Sequence, residues 1–136
     1  MPKVLIVDNN ITIRTTLVHQ LDKLGIRADS AANGFEAVRR IRNWHYELIL
    51  MAIQMPEMDG LEATAAIRAH EKVLGLEPVP IIAISSSDDK DRAIAMGMND
   101  YFEKPALLKD LQKILDDWLP LEKRTHWDSS DVNEAF

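Results

Sequence analysis

The stretch Glu47–Gly60, ELILMAIQMPEMDG, decides how the chain is read. Leu48 to Ile53 is an unbroken apolar run rich in branched side chains, the pattern of a strand buried on both faces. Pro56, Asp59 and Gly60 punctuate the chain before a new amphipathic segment begins. The strand therefore delivers its C-terminal end into a tight loop, and in open α/β sheets that edge is where ligands bind. The residue standing there is Ala52, a methyl group with no chemistry of its own.

Upstream, Val4 to Val7 is a short apolar run ending in Asp8, Asn9 and Asn10. Asp8 or an asparagine can cap the next segment, where Ile13, Leu17, Leu21 and Leu24 recur at helical spacing and Gly25 closes the helix. Arg27 to Ala31 reads as the weakest strand. Asn33-Gly34 then turns into a helix with Phe35, Val38 and Ile41 on one face. Downstream, Asp59 opens a helix, with Glu62 three residues on completing a capping-box pattern and Leu61, Thr64, Ala65 and Ile67 on a mixed face. The stretch from His70 to Pro80 reads as a connector, because Gly75, Pro78 and Pro80 crowd into it. Ile81 to Ile84 is a fourth apolar run leading into Ser85, Ser86 and Ser87. Asp88 to Met96 is a polar helix ended by Gly97, and Tyr101-Phe102 is a short strand running into Lys104-Pro105. Leu108, Leu111, Ile114, Leu115 and Trp118 mark a last helix stopped by Pro120.

Five strand–helix alternations predict an α/β fold, a doubly wound five-stranded parallel sheet with helices on both faces. Right-handed crossovers put every strand's C-terminal end on one edge, so Asp8, Asn9, Ala52, Ser85 and Lys104 converge there.

Composition narrows the function classes. The 136 residues suffice for one domain with its own core, and 46% hydrophobic content argues for a globular chain. A formal net charge of −6 speaks against nucleic-acid binding through a basic face. The absence of cysteine excludes disulfides, thiol nucleophiles and thiolate metal sites. There is no membrane-length apolar run and no signal-peptide pattern, so a cytoplasmic location is expected. His19, His45, His70 and His126 lack metal-ligand spacing. No G-x-S-x-G elbow supports a nucleophilic serine, and no enzymatic activity is expected. Met51, Met55, Met58, Met96 and Met98 read as packing, with Met55 and Met58 near the site.

ILMAIQMPEMDG, IIAISS and NDYFEKP, each at the end of a successive strand, resemble the signatures of the receiver domain of two-component response regulators. AIAMGMNDYFEKP, with the long connector before strand four, is most similar to receivers found in hybrid sensor kinases. The resemblance covers residues 3 to 119. It implies a flavodoxin-like (βα)5 fold with strand order 2-1-3-4-5, a receiver domain over residues 1–120 and a polar tail or linker over 121–136.

In that family the position held by Ala52 is an aspartate that takes a phosphoryl group from a phosphohistidine. Two acidic residues matching Asp8 and Asn9 hold Mg2+, with a backbone carbonyl from the position of Gln54. The resemblance gives Ser85 and Lys104 the phosphoryl oxygens, Tyr101 the role of an aromatic that changes rotamer, and Lys104-Pro105 a cis peptide. The chemistry explains these types. A carboxylate attacks phosphorus, a divalent cation offsets charge, and a hydroxyl and an ammonium stabilise the equatorial oxygens. Ala52 removes the nucleophile, and Asn9 replaces one acidic ligand by a neutral amide. Asp8 is left as the single carboxylate, so Mg2+ is expected to bind weakly or not at all, and Lys104 turns to Asp8 or to solvent. Asp8 itself reads first as a helix-capping acid and second as a metal ligand.

The expected function is a pseudo-receiver: a signalling module that cannot be phosphorylated at position 52 and works by protein–protein contact. By resemblance the contact surface, and that of a dimer, is helix four, strand five and helix five. The partner expected is a histidine kinase, a phosphotransfer protein or an output domain. One alternative is an ordinary phosphoacceptor receiver with an engineered Asp-to-Ala change at position 52, favoured by the intact surrounding motifs and opposed by Asn9. A third reading, a nucleotide- or small-molecule-binding flavodoxin-like domain, is opposed by the loop DNNITIR, which has no glycine to let backbone approach a phosphate.

Overall fold

The computed structural model describes residues 3–119. The elements alternate as β1 (Val4–Val7), α1 (Ile11–Lys23), β2 (Ala28–Ala31), α2 (Gly34–Asn43), β3 (Leu48–Met51), α3 (Gly60–Leu74), β4 (Ile81–Ser85), α4 (Lys90–Ala95), β5 (Asp100–Glu103) and α5 (Leu108–Trp118). All four strand pairs are parallel and the order is β2-β1-β3-β4-β5, as the family resemblance implied. β3 lies between β1 and β4, with Leu50 beside Ile6 on one side and Ile82 on the other.

That central place explains the unbroken apolar run. Side chains of a strand alternate between faces, and here both faces are covered. Ile49 and Met51 enter one core with Leu5, Val7, Ile67 and Ala83. Leu48 and Leu50 enter the other with Ile6, Leu21, Leu111 and Ile114. The strand itself ends at Met51, two residues before the apolar run does, yet Ala52 and Ile53 stay buried and the Ala52 amide donates to Val7 O at 2.8 Å.

Edges were harder to read. β2 is one residue shorter than expected and carries half-buried polar residues, as an edge strand does. It is held laterally: the Tyr46 hydroxyl donates to Asp29 Oδ2 at 2.6 Å and Arg40 Nη1 lies 3.3 Å from the same oxygen. Burial and the bond to Asp29 push the Tyr46 phenol up to about 12, from an ordinary 10.0. The folded state thus keeps this proton more firmly than the unfolded chain does. Its contribution to stability is complete below about pH 10 and is lost as pH rises towards 12. Urea melts across that window are expected to show the loss in the parent chain and a flatter profile in Tyr46→Phe; matching profiles would refute this role.

Four further expectations are corrected. The connector assigned to His70–Pro80 begins later, because α3 runs on to Leu74 and ends at Gly75, whose φ of 65° is left-handed. Burial of Glu71 holds that last turn: its carboxylate accepts from Arg68 Nη1 at 2.8 Å and from the Val79 amide at 2.7 Å. Second, α4 spans only Lys90–Ala95 rather than Asp88–Met96. Third, β5 extends one residue beyond Tyr101-Phe102 at each end. Fourth, Phe35 and Ala65 are exposed; α2 turns Gly34, Ala37 and Val38 inward instead. Lys104-Pro105 is cis, as expected. Pro120, His126 and the tail over 121–136 lie outside the described residues.

Candidate functional site

The parallel order brings four loops to one edge. Asp8 follows β1, Ala52 follows β3, Ser85 is the last residue of β4 rather than the first of its loop, and Lys104 follows β5. Asp8 is buried, and its Oδ2 lies 2.8 Å from Lys104 Nζ. The Lys104 amide donates to Ser85 O at 2.9 Å, which ties the β5 exit to β4. Of the two fates expected for Lys104, the structure shows the ion pair with Asp8.

Asp8 is not the helix cap. Asn10 holds that position, and its Oδ1 accepts from the Ile13 amide at 3.1 Å. Asp8 Oδ1 instead accepts from the Asn10 amide at 2.9 Å, and Arg14 Nη1 donates to Asp8 O at 2.7 Å. An asparagine at the cap reaches the third amide of the helix, leaving the buried carboxylate free to face Lys104. Asn9 and Gln54 are exposed.

Of the expected ligand positions, Asp8 alone offers Mg2+ a side-chain carboxylate. That ion takes oxygen ligands in near-octahedral order, usually with one or two carboxylates. Here one carboxylate is present and it is paired with an ammonium at 2.8 Å. Among the described residues no three acidic or histidine side chains gather to hold a metal.

The loop after β3 is held tightly. Gly60 donates its amide to Ile53 O at 2.7 Å, and Asp59 caps α3 with Glu62 in a reciprocal capping box. Glu57 in that loop takes a left-handed φ of 69°. Met51 and Met55 are buried as packing residues, and half-buried Met58 packs against the same core. Tyr101 packs its ring against the core that holds Ala83, and its hydroxyl is buried without a hydrogen-bond partner among the described residues.

Residues that the sequence reading passed over complete the edge. Ser87 Oγ lies 3.0 Å from Ser85 Oγ and donates to Asp89 Oδ2. The run SSSDD held a signal in its density of short polar side chains, but nothing in it said which would face inward. An apolar cleft of about 230 Å³ opens between α1 and the β5–α5 loop, lined by Thr12, Ile13, Leu17, Ile84 and Pro105. Ile94, Met96, Leu107 and Leu108 are exposed apolar side chains on the α4–β5–α5 side.

A doubly wound sheet with acid, hydroxyl and lysine gathered at the strand C-termini defines the class of flavodoxin-like signalling domains. The response regulator receiver domain model matches residues 4–116, and the chain belongs to that family. It is 40% identical over 124 residues to hybrid signal transduction histidine kinase G of Dictyostelium discoideum, covering 88% of this chain and 4% of that protein. The hybrid signal transduction protein dokA of the same organism is 40% identical over 116 residues, covering 85% and 7%. The chain thus spans a small fraction of the length of these relatives.

Among solved structures it is similar to the receiver domain of the Saccharomyces cerevisiae response regulator Ssk1, crystallised with the histidine phosphotransfer protein Ypd1. The TM-score is 0.81 with 36% identity, covering 86% of this chain and 88% of the other. It is also similar to the receiver domain of the Pseudomonas aeruginosa sensor histidine kinase PA1611, which holds magnesium in its active-site cleft. There the TM-score is 0.76 with 37% identity, covering 86% and 96%. Receiver domains pair with histidine kinases or phosphotransfer proteins, and the Ypd1–Ssk1 complex is one such pair. Among the described residues no helix is long and apolar enough to cross a membrane.

Proposed function

We propose that this chain is a pseudo-receiver, a cytoplasmic module that takes no phosphoryl group at position 52, catalyses no reaction and signals by protein contact. The observation that carries the reading is Ala52 at the centre of the edge, with Lys104 closed onto Asp8 at 2.8 Å beside it. A methyl group cannot attack phosphorus. An ammonium neutralising the single acid opposes a second cation at the same place. Asp8, Asn9, Ala52, Ser85, Lys104 and the backbone of Gln54 are then a vestigial phosphoryl site, and Tyr101 an aromatic without a phosphoryl signal to answer. The receiver module is residues 1–120, and 121–136 links or ends it.

The contact surface is α4, β5 and α5. Exposed Ile94, Met96, Leu107 and Leu108 support it, since apolar side chains left uncovered on and beside these elements favour a partner or a second copy. The cleft beside Ile13 and Pro105 is a second seat, of a size that one or two apolar side chains of a phosphotransfer protein or kinase would fill. The test is an amide NMR titration with Mg2+ and beryllofluoride. Unmoved resonances at Asp8, Ala52, Ser85 and Lys104 are expected, and saturable shifts there would overturn the reading.

A second reading keeps one observation in its favour. Ser85, Lys104 and the cis Lys104-Pro105 bond stand in place around Ala52, as in an ordinary phosphoacceptor receiver altered at that single position. The codon for residue 52 in the source gene decides between them.

A further inference from the structure

The β4–α4 loop departs from the way this chain caps its other helices that start on Asn or Asp. Asn10, Asn33 and Asp59 each accept a hydrogen bond from an amide in the first turn of the helix they precede. Asp89 stands at the same place before α4 and makes no such bond. An aspartate at that position ordinarily stabilises its helix, so its diversion goes against the local preference.

Its oxygens are used elsewhere. Asp89 Oδ1 accepts from Arg92 Nη1 at 3.0 Å, and Oδ2 accepts from the Ser87 hydroxyl. Proton counting then fixes the remaining bond. A serine hydroxyl carries one proton, and that of Ser87 goes to Asp89. The 3.0 Å contact between Ser85 Oγ and Ser87 Oγ is therefore donated by Ser85. Ser85 Oγ also accepts from the Ser87 amide at 3.3 Å. Ser85, buried at 2% exposure, thus has its only proton committed to a chain that ends on a carboxylate.

We infer that Asp89, acting through Ser87, closes the strand edge to anions from within by holding the Ser85 hydroxyl proton away from an incoming phosphate oxygen. Asp8 does the matching work on the other side, against Lys104. Lys104 is thus bound to a carboxylate of the chain directly, and Ser85 through Ser87. Asp89 is a positioning residue here, and it holds the loop between β4 and α4 to the end of β4. The inference rests on reading Ser85 and Lys104 as one vestigial phosphoryl-binding cluster.

Titration of the labelled chain with inorganic phosphate, followed by amide NMR, tests it in four proteins: parent, Ser87→Ala, Asp89→Ala and Arg92→Gln. Freeing the Ser85 proton supplies one hydrogen bond to an anion, worth on the order of tenfold in affinity. Ser87→Ala and Asp89→Ala are expected to bind phosphate that much more tightly than the parent, with shifts at Ser85 and Lys104. Arg92→Gln, which removes only the outer ion pair, is expected to match the parent. Hydrogen exchange at residues 86–88 is expected to quicken in Asp89→Ala and not in Arg92→Gln. Equal affinity in all four, no phosphate shifts in any, or a gain in Arg92→Gln as large as in Asp89→Ala would overturn the inference. Inorganic phosphate donates no phosphoryl group, so failure here leaves the pseudo-receiver reading to its own test, and failure of that reading would appear as an adduct on the unmodified chain.

Discussion

Gly60→Ala is expected to destabilise the fold by about 3 kcal/mol, at the upper end of the range for overpacked sites. A Cβ at Gly60 would stand 2.1 Å from Ala52 O and 2.9 Å from Ile53 Cα. Those are backbone atoms of the β3 exit, so no rotamer change relieves the clash. The loop would have to break the 2.7 Å bond from the Gly60 amide to Ile53 O and lift α3 off the strand. Gly25→Ala is the control. It meets nothing within 4 Å, and its cost comes from a φ of 79° alone, about 1 kcal/mol. Urea melts of the two variants separate the mechanisms; equal losses would show that close approach at Gly60 is not what selects glycine there.

Arg68→Met is expected to cost about 3 kcal/mol, because it leaves a buried charge without its partner. Glu71 is 5% exposed, and Arg68 Nη1 meets it at 2.8 Å. The same guanidinium donates through Nε to Gly97 O at 3.0 Å and through Nη2 to Asn99 Oδ1 at 2.8 Å. Asn99 Oδ1 in turn accepts from the Ile81 amide at 2.9 Å. One side chain therefore joins α3, the start of β4 and the turn into β5. The double variant Arg68→Met/Glu71→Gln is expected to lose less than the sum of the single losses, since residues in one network do not add. Strict additivity, or an Arg68→Met loss within about 0.5 kcal/mol of zero, the usual range for a surface change, would show that the network is ornamental.

What the sequence told and what it withheld follow one physical line. β3 and α5 were legible because burial writes a local pattern: Leu48–Ile53 is apolar throughout, and Leu111, Ile114 and Leu115 repeat at helical spacing and are buried. Elements settled by distant polar partners were not legible. The last turn of α3 depends on Val79 and Arg68 meeting Glu71, and proline and glycine just beyond it suggested an earlier end. Phe35 fits a helical apolar face in sequence but is 55% exposed, because α2 turns Gly34, Ala37 and Val38 to the core instead.

The site divides in the same way. Convergence of Asp8, Ala52, Ser85 and Lys104 followed from strand direction, which parallel pairing fixes. The pairing of Lys104 with Asp8 was one of two expectations, and geometry chose it. The choice of Asn10 over Asp8 as the cap, and the diversion of Asp89 to Ser87, were beyond the sequence, because Asp, Asn and Ser compete for the same amides and only backbone geometry ranks them.

Intact mass after incubation with Mg2+ and a small-molecule phosphodonor such as acetyl phosphate decides whether this edge accepts a phosphoryl group, on the chain as it stands and on Ala52→Asp. No phosphoryl adduct is expected on the chain with Ala52, whatever Ala52→Asp does. An adduct on Ala52→Asp alone would show that Ser85 and Lys104 still serve once a nucleophile is supplied. An adduct on the unmodified chain would contradict the account, because a second acceptor at this edge would then do the work that position 52 cannot.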